Sequence, residues 1–471
     1  MDFTEIYKQT ASLVAFSPGT HFLLTAVQDR LVVRRSDSFQ ISRTWLVDTT
    51  PPHHRRHHLL LLVACAPPEN AWITHAGWSC DSEYVLGACA KRGVVAVFKL
   101  RDEDWSARIE AGAEGLVKAE WAPDGRSVLC FSEWGLRVTI WSLVSGTATY
   151  IQYPVHPDRG YAFRRDARYF VLAERHKSKD TLGVYDAHAS FRLVRHFPSP
   201  PRPSPPSRSR PRGTTSPYGR ARSRRRPLGT FSPEPDPGFG IRAVAWHPSG
   251  LLLAIAGADD KIHILESLTW GPVATLELPT RIPAGVTDKD DLARTERVAR
   301  SDARPGLPLL RTHHPPHTLP LAPPPHDKQA PQLAFNTSGT LLLARPAAAP
   351  TALLLYVFPG GGEDTGSPRL RSVLLHARPV AAARWNPVRA GSLAACCGVP
   401  SVYLWSDEWV ADDGDGVAEE VAECVGVPAQ KFETRDVRWA PDGKGLVLLD
   451  RDTFCCAFEV EEDGQVGEGG S

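Results

Sequence analysis

The sequence predicts an all-β ring of radially stacked sheets, a β-propeller, on three observations. A short motif of an apolar residue, an aromatic, a turn and an apolar run recurs eight times along the 471 residues. The shortest spacings between copies, 43 residues from Trp78 to Trp121 and 42 from Trp121 to Phe163, match one four-stranded blade. The unit around the clearest copy reads as an antiparallel meander whose two faces cannot both be buried by a single sheet.

That copy spans residues 117–143. Val117, Ala119 and Trp121 alternate with Lys118 and Glu120, and Ala122, Pro123, Asp124 and Gly125 follow as a tight turn. A second apolar run covers residues 127–132, Glu133, Trp134 and Gly135 break it, and Leu136, Val138 and Ile140 alternate in a third run. The aromatics of the eight copies are Phe16, Trp78, Trp121, Phe163, Trp246, Phe335, Trp385 and Trp439. The unit therefore repeats as in a WD40-type propeller, although only Asp186 supplies the acid of the Trp-Asp signature. The Gly-His dipeptide that opens such repeats is missing, so blade stability is expected to rest on packing rather than on a hydrogen-bonded tetrad.

Residues 1–8 precede the first copy and offer Phe3, Ile6 and Tyr7 for packing. The last copy supplies only three strands, so these residues are expected to close the ring as its outer strand. The first four blades are assigned to residues 1–197, with a His/Leu-rich insert at 49–70. The apolar run within it, from Leu59 to Ala66, is too short to span a bilayer, which takes ~20 residues. The spacing of 83 residues between Phe163 and Trp246 makes a further repeat due near position 205. Residues 198–237 carry a Pro/Arg/Ser-rich tract there instead, which lacks the apolar periodicity to fold. One expected repeat is thus missing or replaced. That tract has nine Arg and no acid between Ser199 and Arg226, with Ser204 and Ser216 placed for proline-directed phosphorylation. A blade follows at 238–279, a disordered loop at 280–329, three blades at 330–462 and an acidic, Gly-rich tail at 463–471.

Chemistry-bearing motifs do not emerge. There is no GxSxG, HExxH or Walker pattern, and Gly360, Gly361 and Gly362 follow a strand without opening a helix. Nine cysteines form no CxxC pair, and the adjacent pairs Cys396-Cys397 and Cys455-Cys456 are read as buried free thiols facing opposite ways. Asn336, Thr337 and Ser338 form a formal glycosylation sequon in a turn. The first ten residues lack a basic region and an apolar core, so no secretory signal is expected and the chain reads as intracellular. The net charge of +1 averages basic and acidic segments and predicts no partner. Neither an enzyme, a cofactor nor a metal is expected.

Several stretches carry a resemblance, MDFTEIYK, KRGVVAVFKL, SEWGLRVTIWSL, YFVLAERHKSKD and DTFCCAFEV, of which SEWGLRVTIWSL and AERHKSKD go beyond any generic repeat consensus. Through them the chain resembles the centrosomal and spindle-pole WD-repeat proteins of the WRAP class. The resemblance implies a non-catalytic scaffold of the cytoplasm and cytoskeleton, at the centrosome or spindle pole, supporting microtubule anchoring, spindle organisation and ciliogenesis. It further implies a coiled-coil microtubule-anchoring protein as partner and, in fungi, a minus-end-directed kinesin, with no membrane and no nucleic acid. Candidate partner contacts are the charges that these stretches add beyond the repeat: Lys91, Arg92, Glu133, Arg137, Glu174, Arg175, Lys177 and Asp180, all expected to be exposed at strand ends or turns. The alternative is a propeller adaptor in RNA-binding or ubiquitin machinery.

Overall fold

Residues 1–47, 72–158, 160–176, 179–197, 240–257, 261–277, 297–301, 332–358, 368–412, 418–429 and 431–459 are described by a computed structural model of the chain. They form eight sheets arranged as eight blades, antiparallel except for one parallel edge strand in the sixth. The first strands of blades 1 to 8 are Val14–Phe16, His75–Trp78, Lys118–Trp121, Tyr161–Phe163, Ile241–Trp246, Gln332–Phe335, Ala382–Trp385 and Asp436–Trp439. Each ends on the aromatic of its motif, and first strands of neighbouring blades pack against one another.

The recurrence of Trp at this position has a physical cause. The indole N–H of Trp78 donates to the carbonyl of Ala15 at 3.1 Å, Trp121 to Gly77 at 3.1 Å, Trp385 to Ala334 at 3.0 Å and Trp439 to Arg384 at 2.9 Å. In every case the acceptor is the residue just before the aromatic of the preceding blade, so each Trp latches its blade to the one before. Trp246 breaks the series, because its Nε1 is buried without a partner among the described residues. Since blades 1, 4 and 6 carry Phe here, Trp385→Phe should fit. It should cost about 1 kcal/mol for the lost hydrogen bond, whereas Trp246→Phe should be close to neutral. Urea midpoints of the two variants check this, and equal losses would contradict the latch.

The ring closes as the sequence predicts. Asp2–Phe3 and Tyr7–Lys8 pair antiparallel with Thr453–Phe458, the last strand of blade 8. Backbone N–H groups of Thr4 and Gln9 donate to Cys456 and Asp452, each at 2.9 Å. Tyr7 stacks on Phe39 of blade 1 at 5.4 Å and tilts against Phe454 at 5.5 Å.

The repeat due near position 205 has no place in the ring. Val171, Leu182 and Val184 of blade 4 share one core with Val244, Trp246 and Leu253 of blade 5, so these two blades are direct neighbours. The uneven spacing of the motifs reflects inserts between blades, not a lost blade. Within the segment read as a loop at 280–329, Arg297–Ser301 is a strand, paired in parallel with Arg369–His376 as a fifth strand of blade 6. The inserts at 49–70 and 198–237, the tail at 463–471 and Gly360, Gly361 and Gly362 lie outside the described residues.

The cores lie between blades, so a strand is buried on both sides. Cys455 faces the core of blades 7 and 8, whereas its neighbour Cys456 faces that of blades 8 and 1. Cys396 and Cys397 divide in the same way. Burial pushes the Cys397 and Cys455 thiols up to about 12, leaving them protonated and poor nucleophiles. The sequon Asn336 is 1% exposed; its amide donates to Ala390 of the next blade at 2.8 Å and its carbonyl accepts from Leu341 at 3.0 Å. It is a blade-to-blade tie.

One buried and one half-buried histidine set a pH dependence. Burial lowers His376 to about 4, and burial together with the nearby Lys118 ammonium lowers His75 to about 4. The fold holds both neutral, while the unfolded chain binds protons near pH 6.5. Stability is therefore complete above pH 6.5, falls between pH 6.5 and 4, and levels off below; the two together can cost roughly 6 kcal/mol. Unfolding midpoints at pH 7 and 4.5 read the drop, and His376→Gln should remove about half of it.

Candidate partner-binding face

Because each blade is an antiparallel meander, its second strand ends and its third begins at the end of the ring where the next blade's first strand starts. The sequence candidates fall at the turns between these strands in blades 2, 3 and 4, so the fold gathers them on one face of the ring.

Contacts stitch this face from blade to blade. Lys91 and Arg92 are exposed on the single 3-10 turn Ala90–Arg92 of blade 2. The following Gly93 lies against Ala111, at the start of the connection into blade 3. Glu114 of that connection pairs with Arg137 at 2.5 Å, and the exposed Glu133 lies over Gly115. Gly135 then abuts the carbonyl of Pro154 in the connection into blade 4, and Tyr153 accepts from the Arg175 backbone at 2.8 Å.

Three candidates are not the exposed charges expected. Arg137 is half-buried, paired with Glu114 and laid over the Tyr150 ring at 4.4 Å. Asp180 has only 5% of its side chain exposed; it pairs with Arg175 at 2.8 Å and accepts from the Ile241 backbone at 3.1 Å, tying blade 4 to blade 5. Glu174 is the largest departure, at 3% exposure. Its carboxylate accepts from the Tyr185 hydroxyl, and that ring reaches it by crossing Gly183, where any Cβ would strike both side chains. Burial and the Glu174 carboxylate raise the Tyr185 phenol. Lys177 lies outside the described residues. Lys91, Arg92, Glu133 and Arg175 are thus the described candidates open to a partner.

One residue on this face was not among the candidates. Trp134 is 90% exposed, with φ of 58° and ψ of 14° in the left-handed region. A bulky residue held there is strained, and such strain collects at binding sites. Leu136 at 42% and Tyr153 at 48% exposure adjoin it, the Tyr153 N–H donating to Leu136 at 2.9 Å. An aromatic between Glu133 and Gly135, inside a turn that needs none, was the available signal.

The centre of the ring holds a cavity of about 500 Å³ whose lining includes Asp158, Tyr161, Gln332, Arg345, Arg384 and Asp436. Polar side chains lining it and on the first strands nearby tie blades together. Arg384 reaches Asp436 at 3.1 Å and the Val437 carbonyl at 2.9 Å, and Arg438 reaches the Val14 carbonyl at 2.9 Å. Lys118 donates to Tyr161 at 2.6 Å, and Tyr161 donates to Glu120. Among the described residues, no three His, Cys, Asp or Glu side chains are placed to hold a metal.

No family model matches the chain. The C-terminal WD40 domain of Sif2 superposes with a TM-score of 0.56 at 10% identity, covering 97% of this chain and 99% of that one. At that identity the likeness bears on the fold alone. The WD repeat-containing protein WRAP73 of Mus musculus is 29% identical over 499 aligned positions, which take in 98% of this chain and 97% of the relative. The chain is similar to this WD-repeat protein from end to end.

Proposed function

We propose that this propeller is a non-catalytic scaffold at the centrosome or spindle pole, where it binds a coiled-coil microtubule-anchoring protein directly and supports spindle organisation. The observation that carries the reading is the end-to-end similarity to WRAP73, read with the implications of the WRAP class. The face of blades 2 to 4 adds physical support. It is rigid, stitched by hydrogen bonds and ion pairs, and displays an exposed indole beside open charges, which is the anatomy of a binding surface. A rigid disc loses little conformational entropy on binding, so it can order other proteins without doing chemistry.

The test is reconstitution. The purified full chain is mixed with a purified coiled-coil microtubule-anchoring protein of the centrosome, and the two are expected to co-elute as one species in size-exclusion chromatography. Separate elution at micromolar concentration contradicts the reading.

A further inference from the structure

We infer that the face around Trp134 is a docking site for an acidic amphipathic helix, with the Trp134 indole as its anchor. The inference rests on the scaffold reading above and specifies which surface does the binding and what chemistry it accepts.

Four observations lead there. The Trp134 side chain is almost wholly in solvent, so it contributes little to the fold, yet the backbone carrying it is held left-handed. Tyr153, its neighbour through Leu136, is a second aromatic in that conformation, with φ of 59°. Two bulky residues are therefore kept in costly conformations side by side on one face. The apolar patch continues through Leu136 and the 41%-exposed Val117. Exposed indoles ringed by smaller apolar groups are the residues on which binding energy concentrates.

The chemistry of the occupant follows from the surroundings. The turn Glu133–Gly135 offers no unpaired strand edge, so a partner cannot add a strand here and must be read by side chains, as an amphipathic helix is. On blade 2 the adjacent Lys91 and Arg92 are exposed, while two acids of the face, Glu114 and Asp180, are already matched by Arg137 and Arg175. Carboxylates on the helix complement that basic edge. A nucleic acid would also stack on an indole beside basic groups, and that is the outcome an oligouridine probe reads.

The test measures fluorescence anisotropy of a labelled Leu/Glu-patterned amphipathic peptide with the full chain, beside its Leu/Lys counterpart and a labelled oligouridine. The Leu/Glu peptide should bind. Trp134→Ala should weaken it about 30-fold, the factor that corresponds to a 2 kcal/mol anchor. Lys91→Glu combined with Arg92→Glu should shift the preference toward the Leu/Lys peptide. Trp134→Gly removes the indole and relieves the left-handed strain, so its thermal unfolding should match or exceed that of the parent while binding is lost. No binding of the Leu/Glu peptide, unchanged binding by Trp134→Ala, or Trp134-dependent binding of the Leu/Lys peptide or oligouridine each overturns the inference. Failure here alongside intact co-elution with a coiled-coil protein removes only this surface; failure of both removes the scaffold reading.

Discussion

Glu174→Lys is expected to give the largest loss of stability of any charge substitution on the candidate face. The side chain is buried between the second and third strands of blade 4, accepts the Tyr185 hydroxyl and fills the space that Gly183 leaves. An ammonium there is a buried charge, and it leaves the Tyr185 hydroxyl without its acceptor. Disrupting buried polar pairs of this kind costs roughly 3–5 kcal/mol. Glu174→Gln keeps a carbonyl acceptor and should lose much less. Arg175→Glu, which sets a new carboxylate against the 5%-exposed Asp180, should fall between the two. Chemical denaturation of the three variants orders them, and a Glu174→Lys protein as stable as Arg175→Glu would contradict the buried role.

Removing residues 1–8 should make the chain aggregate. The deletion strips Asp2–Phe3 and Tyr7–Lys8 from Thr453–Phe458, exposing a strand edge that no other element covers. It also uncovers Phe454 and Cys456 and breaks the Tyr7 stack on Phe39, the contact that joins the last blade to the first. Losing the two partly buried aromatics Phe3 and Tyr7 alone costs roughly 3 kcal/mol. The loss falls at the closure on which the integrity of the ring depends. Size-exclusion chromatography and thermal aggregation measure the outcome, and a truncated chain that elutes and melts like the parent would rule out this closure.

The architecture was legible because it is written in repetition. Each motif aromatic ends a first strand, and the N-terminal strand could be assigned to the last blade because that blade visibly lacked one. What escaped was set by contacts distant in sequence. Glu174 reads as a surface charge beside Arg175, but a strand flanked by blades on both sides has no solvent face, and only the fold brings Tyr185 over Gly183 to meet it. The glycine inside the strand Lys179–Asp186 was the clue, since glycine in a strand marks a close approach. Trp134 was read as a strand breaker, which it is; that its indole stands in solvent follows from the left-handed turn. Counting blades from motif spacing failed between Phe163 and Trp246, because a connection can lengthen without changing which blades touch.

The central claim, a scaffold working at the centrosome or spindle pole, is tested most directly by imaging the fluorescently tagged full chain in dividing cells. The account predicts two foci coincident with the spindle poles. Uniform cytosolic fluorescence of the unmodified chain throughout mitosis would contradict it.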